Sequence, residues 1–242
     1  MDEGEVGVMG RVFITGDIHG EHSIKRFASN NFNRNNELNL TKEDHLIITG
    51  DFGLIWDGTA SKRERWWLDW LDEKPWTTLF VDGNHENHAR LDNYPVGLWN
   101  GGKVHEVSDS VIHLMRGQVF NLHGKKFFAM GGAYSHDIQY RIPDKSWWAR
   151  EVPSFCEREE ALDNLEKHKW KVDYVVTHDA PTFIAQRLIH TPDRKVDDFT
   201  DWLEDVSSKL EFNQWFFGHH HQDRELLDGK YQAMYHDIAQ IM

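Results

Sequence analysis

Apolar runs alternate with amphipathic stretches along this chain, and five of the runs stop at a residue that can bind a metal. Val12 to Thr15 ends on Gly16-Asp17-Ile18-His19, and Leu46 to Thr49 ends on Gly50-Asp51. Leu79 to Val81 passes through Asp82 into Gly83-Asn84-His85-Glu86. Tyr174 to Thr177 meets His178, and Trp215 to Phe217 meets Gly218-His219-His220-His221. Short apolar runs bounded by turn residues read as buried strands. Ligands of open α/β sheets gather outside the carboxyl ends of strands. Five such ends offering Asp, His or Asn predict one polar site assembled from the whole chain.

Between the runs the period changes. His22 to Phe32 carries Ile24, Phe27 and Ala28 at helical spacing, and Ser61 to Glu73 carries Trp66, Trp67, Trp70 and Leu71 opposite a charged face. Strand–helix–strand alternation predicts parallel pairing. Residues 101–132 hold four short runs, near Val104, Val111, Val119 and Lys126, that predict an antiparallel meander. Glu157 to Trp170 and Val196 to Leu210 predict two further amphipathic helices, and Glu225 to Tyr235 predicts a terminal hairpin about Asp228-Gly229. Residues 133–156 show no clean period and hold Tyr134, Tyr140, Arg141, Trp147, Trp148 and Arg150. No repeat or linker interrupts 11–242, which is expected to be one domain.

Composition narrows the partners. Lys+Arg 27 against Asp+Glu 40 gives a formal net charge of -13. That balance, with no basic tail, argues against non-specific duplex nucleic acid. It leaves room for a small anionic substrate, because bound cations would reverse the local field. Cys156 is the only cysteine, which fits a reducing, cytoplasmic compartment. No apolar stretch approaches the roughly 20 residues of a membrane helix. Met1 to Gly10 is acidic, lacks a signal-peptide pattern, and is expected to be a flexible N-terminus or a remnant of cloning, with Met9 a candidate start.

The donor set is mixed nitrogen and oxygen, without thiolate. Residues i and i+2 of an extended strand share a side, so Asp17 pairs with His19 and His219 with His221, leaving His220 facing away. Asp51 has two carboxylate oxygens and can bridge two ions. Asn84 offers an amide oxygen and His178 another nitrogen. Such donors suit Mn²⁺, Fe, Zn²⁺, Co²⁺ or Ni²⁺ more than Ca²⁺, and Mn²⁺ is the first expectation. Seven donors exceed what one ion with an open position needs and match two divalent ions sharing Asp51. Two-metal sites orient in-line displacement at phosphorus and lower the pKa of bound water from 15.7 toward ~7.

Gly16-Asp17-Ile18-His19-Gly20, Gly50-Asp51, Gly83-Asn84-His85-Glu86, Thr177-His178 and Gly218-His219-His220-His221 together resemble the motifs of the calcineurin-like metallophosphoesterase superfamily, in order and across residues 16–221. The resemblance implies an α/β (α+β) fold with two mixed β-sheets packed as a sandwich flanked by helices. It implies one metal on Asp17, His19, Asp51 and His221 and the other on Asp51, Asn84, His178 and His219. It assigns His85 to the substrate phosphate and to protonation of the leaving group; the alternative is a His that orients Asn84. Glu86 either orients His85 or caps the helix that follows.

Protein serine/threonine phosphatases and their diadenosine-tetraphosphatase relatives carry an Arg shortly after the second motif's Asp, and the phosphatases an Asp as well. Here the segment reads Asp51-Phe52-Gly53-Leu54-Ile55-Trp56-Asp57-Gly58, with neither in place. Asp57 or Glu86 are candidate substitutes for that Asp. Arg90, Arg141 and Arg150 are the candidate phosphate-binding cations. Residues 133–156 are a candidate substrate-covering loop whose Tyr140, Trp147 and Trp148 either stack a nucleobase or pack the loop down. The expected activity is hydrolysis of a phosphomonoester or phosphodiester in a small ester, nucleotide or phosphoprotein. The alternatives are a nuclease or cyclic-nucleotide phosphodiesterase, a nucleotide pyrophosphohydrolase, and a non-catalytic metal-binding scaffold.

Overall fold

The computed structural model describes residues 10–28, 32, 37–188 and 197–242. The strands form two mixed sheets. The first runs, edge to edge, β13 (Ile238–Gln240), β1 (Val12–Thr15), β2 (His45–Ile48), β3 (Thr77–Phe80), β6 (Val111–Leu114), β5 (Gly102–Ser108) and β4 (Val96–Trp99). Within it β1, β2, β3 and β6 are parallel neighbours, while β13, β5 and β4 pair antiparallel. The second runs β11 (Arg224–Leu226), β12 (Tyr231–Ala233), β10 (Gln214–Phe217), β9 (Tyr174–Thr177), β8 (Lys125–Met130) and β7 (Gln118–Leu122). Its β12, β10, β9 and β8 are parallel.

The unbroken apolar runs follow from burial on both faces, as parallel sheets under helices require. Alternate residues of each run go to different cores. Val12, Ile14, Ile47, Leu79 and Val81 meet Phe127, Ala129, Val176 and Phe216 between the sheets. Phe13, Leu46, Ile48 and Phe80 turn outward to Trp67, Leu68 and Leu71 of α1 (Lys62–Asp72). Phe128, Met130, Val175, Trp215 and Phe217 turn the other way, under α2 (Phe155–Lys167), α3 (Thr182–Leu188) and α4 (Asp198–Lys209). The fold is a two-sheet sandwich flanked by helices. The long helices start where the sequence places caps. Ser61 accepts from the Glu64 amide, Ser154 and Glu157 form a reciprocal capping box, and Asp197 accepts from Phe199 and Thr200.

Several expectations change. The four runs of 101–132 are not one meander but two hairpins, β5–β6 in the first sheet and β7–β8 in the second. β6 pairs with β3, and Arg116, buried between β6 and β7 at the crossing, binds Asp82 beyond the end of β3. This split lets both hairpins line the inter-sheet core, Val104 and Leu114 from one and Phe120 and Leu122 from the other. His22 to Phe32 is not an α-helix over its described part. It forms two 3₁₀ segments, Gly20–His22 and Ile24–Phe27, and Ala28 is extended. Spacing i, i+3 places Ile24 and Phe27 on one side of a 3₁₀ turn just as well. Val196, expected to open the last helix, lies outside the described residues, as do residues 1–9.

Candidate metal centre and adjoining cleft

The parallel arrangement sends the carboxyl ends of β1, β2 and β3 from one sheet, and of β9 and β10 from the other, to a common edge. Asp17, His19, Asp51 and His221 meet there, each offering a ligand atom, all within 4.8 Å of one another. The turns that deliver them are left-handed rather than extended: His19 has φ 46°, Asp51 45°, His219 61° and His221 50°. The i, i+2 strand argument therefore does not account for the convergence. Close backbone approach does. A Cβ on Gly218 would overlap the Asp17 carboxylate, and one on Gly83 would overlap Asp51.

Asp51 faces two ways. Its Oδ2 lies 3.7 Å from His19 Nδ1, on the side where His19 Nε2 and His221 Nε2 stand 3.0 Å apart and His221 Nε2 is 3.2 Å from Asp17 Oδ2. Its Oδ1 accepts from the His85 amide at 2.8 Å and lies 3.3 Å from His178 Nε2. That same Nε2 is 3.1 Å from Asn84 Oδ1, while His178 Nδ1 donates to the Thr49 carbonyl at 2.8 Å. His219 stacks edge-on to His178 with ring centroids 5.0 Å apart. His220 turns to Asp179, 3.1 Å away. Two groups of nitrogen and oxygen donors thus flank one carboxylate. In the group of Asp17, His19, Asp51 and His221, ring nitrogens face each other and carboxylate oxygens at separations that would suit a divalent cation between them.

The electrostatics of the bare site agree. Burial penalises the Asp51 charge, yet His178, His85 and His19 outweigh it and hold the carboxyl far below the usual range. Burial likewise opposes a charged His178, but Asp51 and Asp17 lift it to about 10. A divalent ion would take the place of that proton.

Asn84 donates its amide to Ser135 Oγ at 3.1 Å, and Ser135 donates to Glu151 Oε2 at 2.6 Å. Arg116 binds the carbonyls of Arg150 and Glu151 and closes on the Asp82 carboxylate two residues before Asn84. Arg26 holds the Gly16 and Asp17 carbonyls, each at 2.7 Å. None of Ser135, Glu151, Arg116 or Arg26 was singled out from sequence, because nothing local marks partners so far apart along the chain. Glu86 resolves its two candidate roles in neither way. It accepts from the Phe52 and Gly53 amides at 2.6 and 3.1 Å and so clamps the turn after Asp51.

The three candidate arginines separate. Arg90 grips Glu64 through both terminal nitrogens, at 2.6 and 2.5 Å. Arg150 is shared between Asp92 and Glu157. Arg141 alone of the three reaches the site, with Nη1 3.5 Å from His85 Nδ1 and Nε anchored on Asp137 at 2.8 Å. Trp148 is buried, its ring edge-on to Trp56, whereas Tyr140 is exposed. A cleft of about 350 Å³ opens beside His19 and His85, walled by residues 20–22, by Gly53, Leu54, Trp56 and Asp57, and by the start of α1. None of its lining comes from 133–156.

Among the described residues no helix is long and apolar enough to cross a membrane. The chain is 25% identical over 241 residues to the lariat debranching enzyme of Schizosaccharomyces pombe, an alignment covering 82% of this chain and 49% of that protein. It therefore spans about half the length of that curated relative. Superposition on the phosphopantetheinyl hydrolase of Mycobacterium tuberculosis gives a TM-score of 0.45 at 15% identity, covering 96% of this chain and 92% of that one. The sequence profile of the calcineurin-like phosphoesterases matches residues 10–223, and the chain belongs to that family of phosphate-ester hydrolases.

Proposed function

We propose that this chain hydrolyses phosphomonoester or phosphodiester bonds with two divalent ions, manganese first among them. The observation that carries this reading is the two-sided Asp51, with its Oδ2 toward His19 and its Oδ1 toward His178. Asp17, His19, Asp51 and His221 would hold one ion, and Asp51, Asn84, His178 and His219 the other. When bound, such ions polarise a phosphoryl oxygen and make water a nucleophile at neutral pH.

The protein's own groups do the rest. Asn84 keeps its amide oxygen toward the second ion because Ser135 takes its amide hydrogen. Arg141, braced by Asp137, binds a non-bridging phosphate oxygen. His85, beside it, donates a proton to the departing alcohol, a role worth typically ~10²–10⁴-fold. The lone Cys156 supports a reducing, cytoplasmic setting.

The test is turnover of nitrophenyl phosphate and of bis(nitrophenyl) phosphate with added Mn²⁺. The Asp51→Asn and His85→Ala variants are expected to lose most of it, and undiminished turnover in both would sink the assignment. A higher rate on the second ester would select the diesterase arm.

A further inference from the structure

The cleft that begins at His85 has a composition of its own. Trp56 forms one wall, its ring centroid 6.2 Å from that of His85 at 41°. Trp148, only 3% exposed, packs edge-on against it at 5.5 Å. The Trp56 carbonyl is held by Asn87 Nδ2 at 3.0 Å. The indole is thus fixed in place before any ligand arrives, which lowers the cost of binding against it. Trp67, from α1, adds further aromatic lining.

The charges nearly cancel, and what is left is negative. Arg63 pairs with Glu21 and Arg90 with Glu64. Asp57, exposed on the lining, adds a further carboxylate; Arg90, itself outside the lining, binds the Asp57 carbonyl at 2.9 Å and is shared between Asp57 and Glu64, so one negative charge is left over. Arg141, the cation beside His85, is not part of the lining. The phosphate-binding side and the cleft side of His85 are therefore chemically different. A volume of about 350 Å³ sits at the lower end of small-molecule sites, room for one ring system and its sugar.

We infer that this cleft is the leaving-group site, and that it takes an uncharged, flat heteroaromatic alcohol with hydroxyl donors, a nucleoside in class, while rejecting one that carries further phosphate. The heterocycle lies against Trp56, the hydroxyls face Asp57, and the ester oxygen lies at His85. Like charge on Asp57 disfavours a second phosphate there. The inference rests on the phosphoesterase reading for its ester oxygen, but not for its ligand.

Two measurements test it. The first is calorimetric titration of the protein with adenosine, which needs no turnover. Binding is expected, and Trp56→Ala should weaken it by about tenfold, the usual worth of one base–aromatic contact, with Trp56→Phe recovering most of the loss. The second is hydrolysis with Mn²⁺ of adenosine monophosphate, of adenosine bisphosphate with its second phosphate on the leaving group, and of glycerol phosphate. Trp56→Ala should lose kcat/KM about tenfold more on adenosine monophosphate than on glycerol phosphate. Asp57→Lys should narrow the preference for the monophosphate over the bisphosphate. Equal losses on both esters, or a preference indifferent to Asp57→Lys, overturn the inference. If adenosine does not bind while nitrophenyl phosphate is still hydrolysed, the cleft assignment alone falls. If adenosine binds at Trp56 and no ester is hydrolysed, the phosphoesterase reading falls and the cleft remains a nucleoside site.

Discussion

Asn84 Nδ2 lies 3.1 Å from Ser135 Oγ, and that hydroxyl donates onward to a buried Glu151. The hydroxyl can accept from the amide because its own hydrogen is committed to the carboxylate. This fixes which end of the Asn84 amide faces His178 and Asp51. Ser135→Ala is expected to reduce metal affinity and kcat by roughly 10- to 100-fold, the usual effect of removing a group that orients a ligand. Glu151→Gln should fall in between. Calorimetric titration of the metal-stripped protein with Mn²⁺ checks it; unchanged affinity in Ser135→Ala would remove the relay from the account.

Arg141 and Arg90 should fail in different ways when cut to alanine. Arg141→Ala is expected to raise KM by about 10- to 100-fold, the worth of a hydrogen bond to a charged group, with little change in stability. Arg141→Lys should recover only part, lacking the planar fork. Arg90→Ala would strand Glu64, whose side chain is 3% exposed. It should lower stability on the order of 3 kcal/mol while KM moves less. Steady-state kinetics and urea unfolding on the same preparations separate the two.

Much of this was legible in the sequence, for a physical reason. Strands buried on both faces must be apolar throughout, so their ends stand out, and donors at those ends needed only a parallel topology to meet. The edge strands were not legible: β4 shows Val96 and Leu98 to solvent, and β13 is three residues long. Nor was the left-handed backbone at His19, Asp51, His219 and His221, since non-glycine residues rarely advertise positive φ. Choosing among Arg90, Arg141 and Arg150 required their acidic partners, and Glu64 and Asp92 lie far from their arginines along the chain.

His45, at the start of β2 and far along the strand from Asp51, gives a pH dependence independent of metal. Burial, helped by His123 at 3.2 Å and opposed weakly by Asp44, pushes its pKa down to about 4 from 6.5. The unfolded chain therefore takes up this proton first as pH falls. Stability from His45 is complete above pH 6.5 and is lost progressively toward pH 4, on the order of 2–3 kcal/mol. Urea unfolding at stepped pH should show a shallower acid-side loss in His45→Gln than in the wild type. Parallel curves would contradict this.

The shared carboxylate is the central claim, and anomalous diffraction from crystals grown with Mn²⁺ tests it most directly. Two peaks are expected, roughly 3.5–4 Å apart, one near His19 and His221, the other near Asn84 and His178, with Asp51 touching both. A single peak, or a pair that leaves Asp51 bound to only one ion, would contradict it.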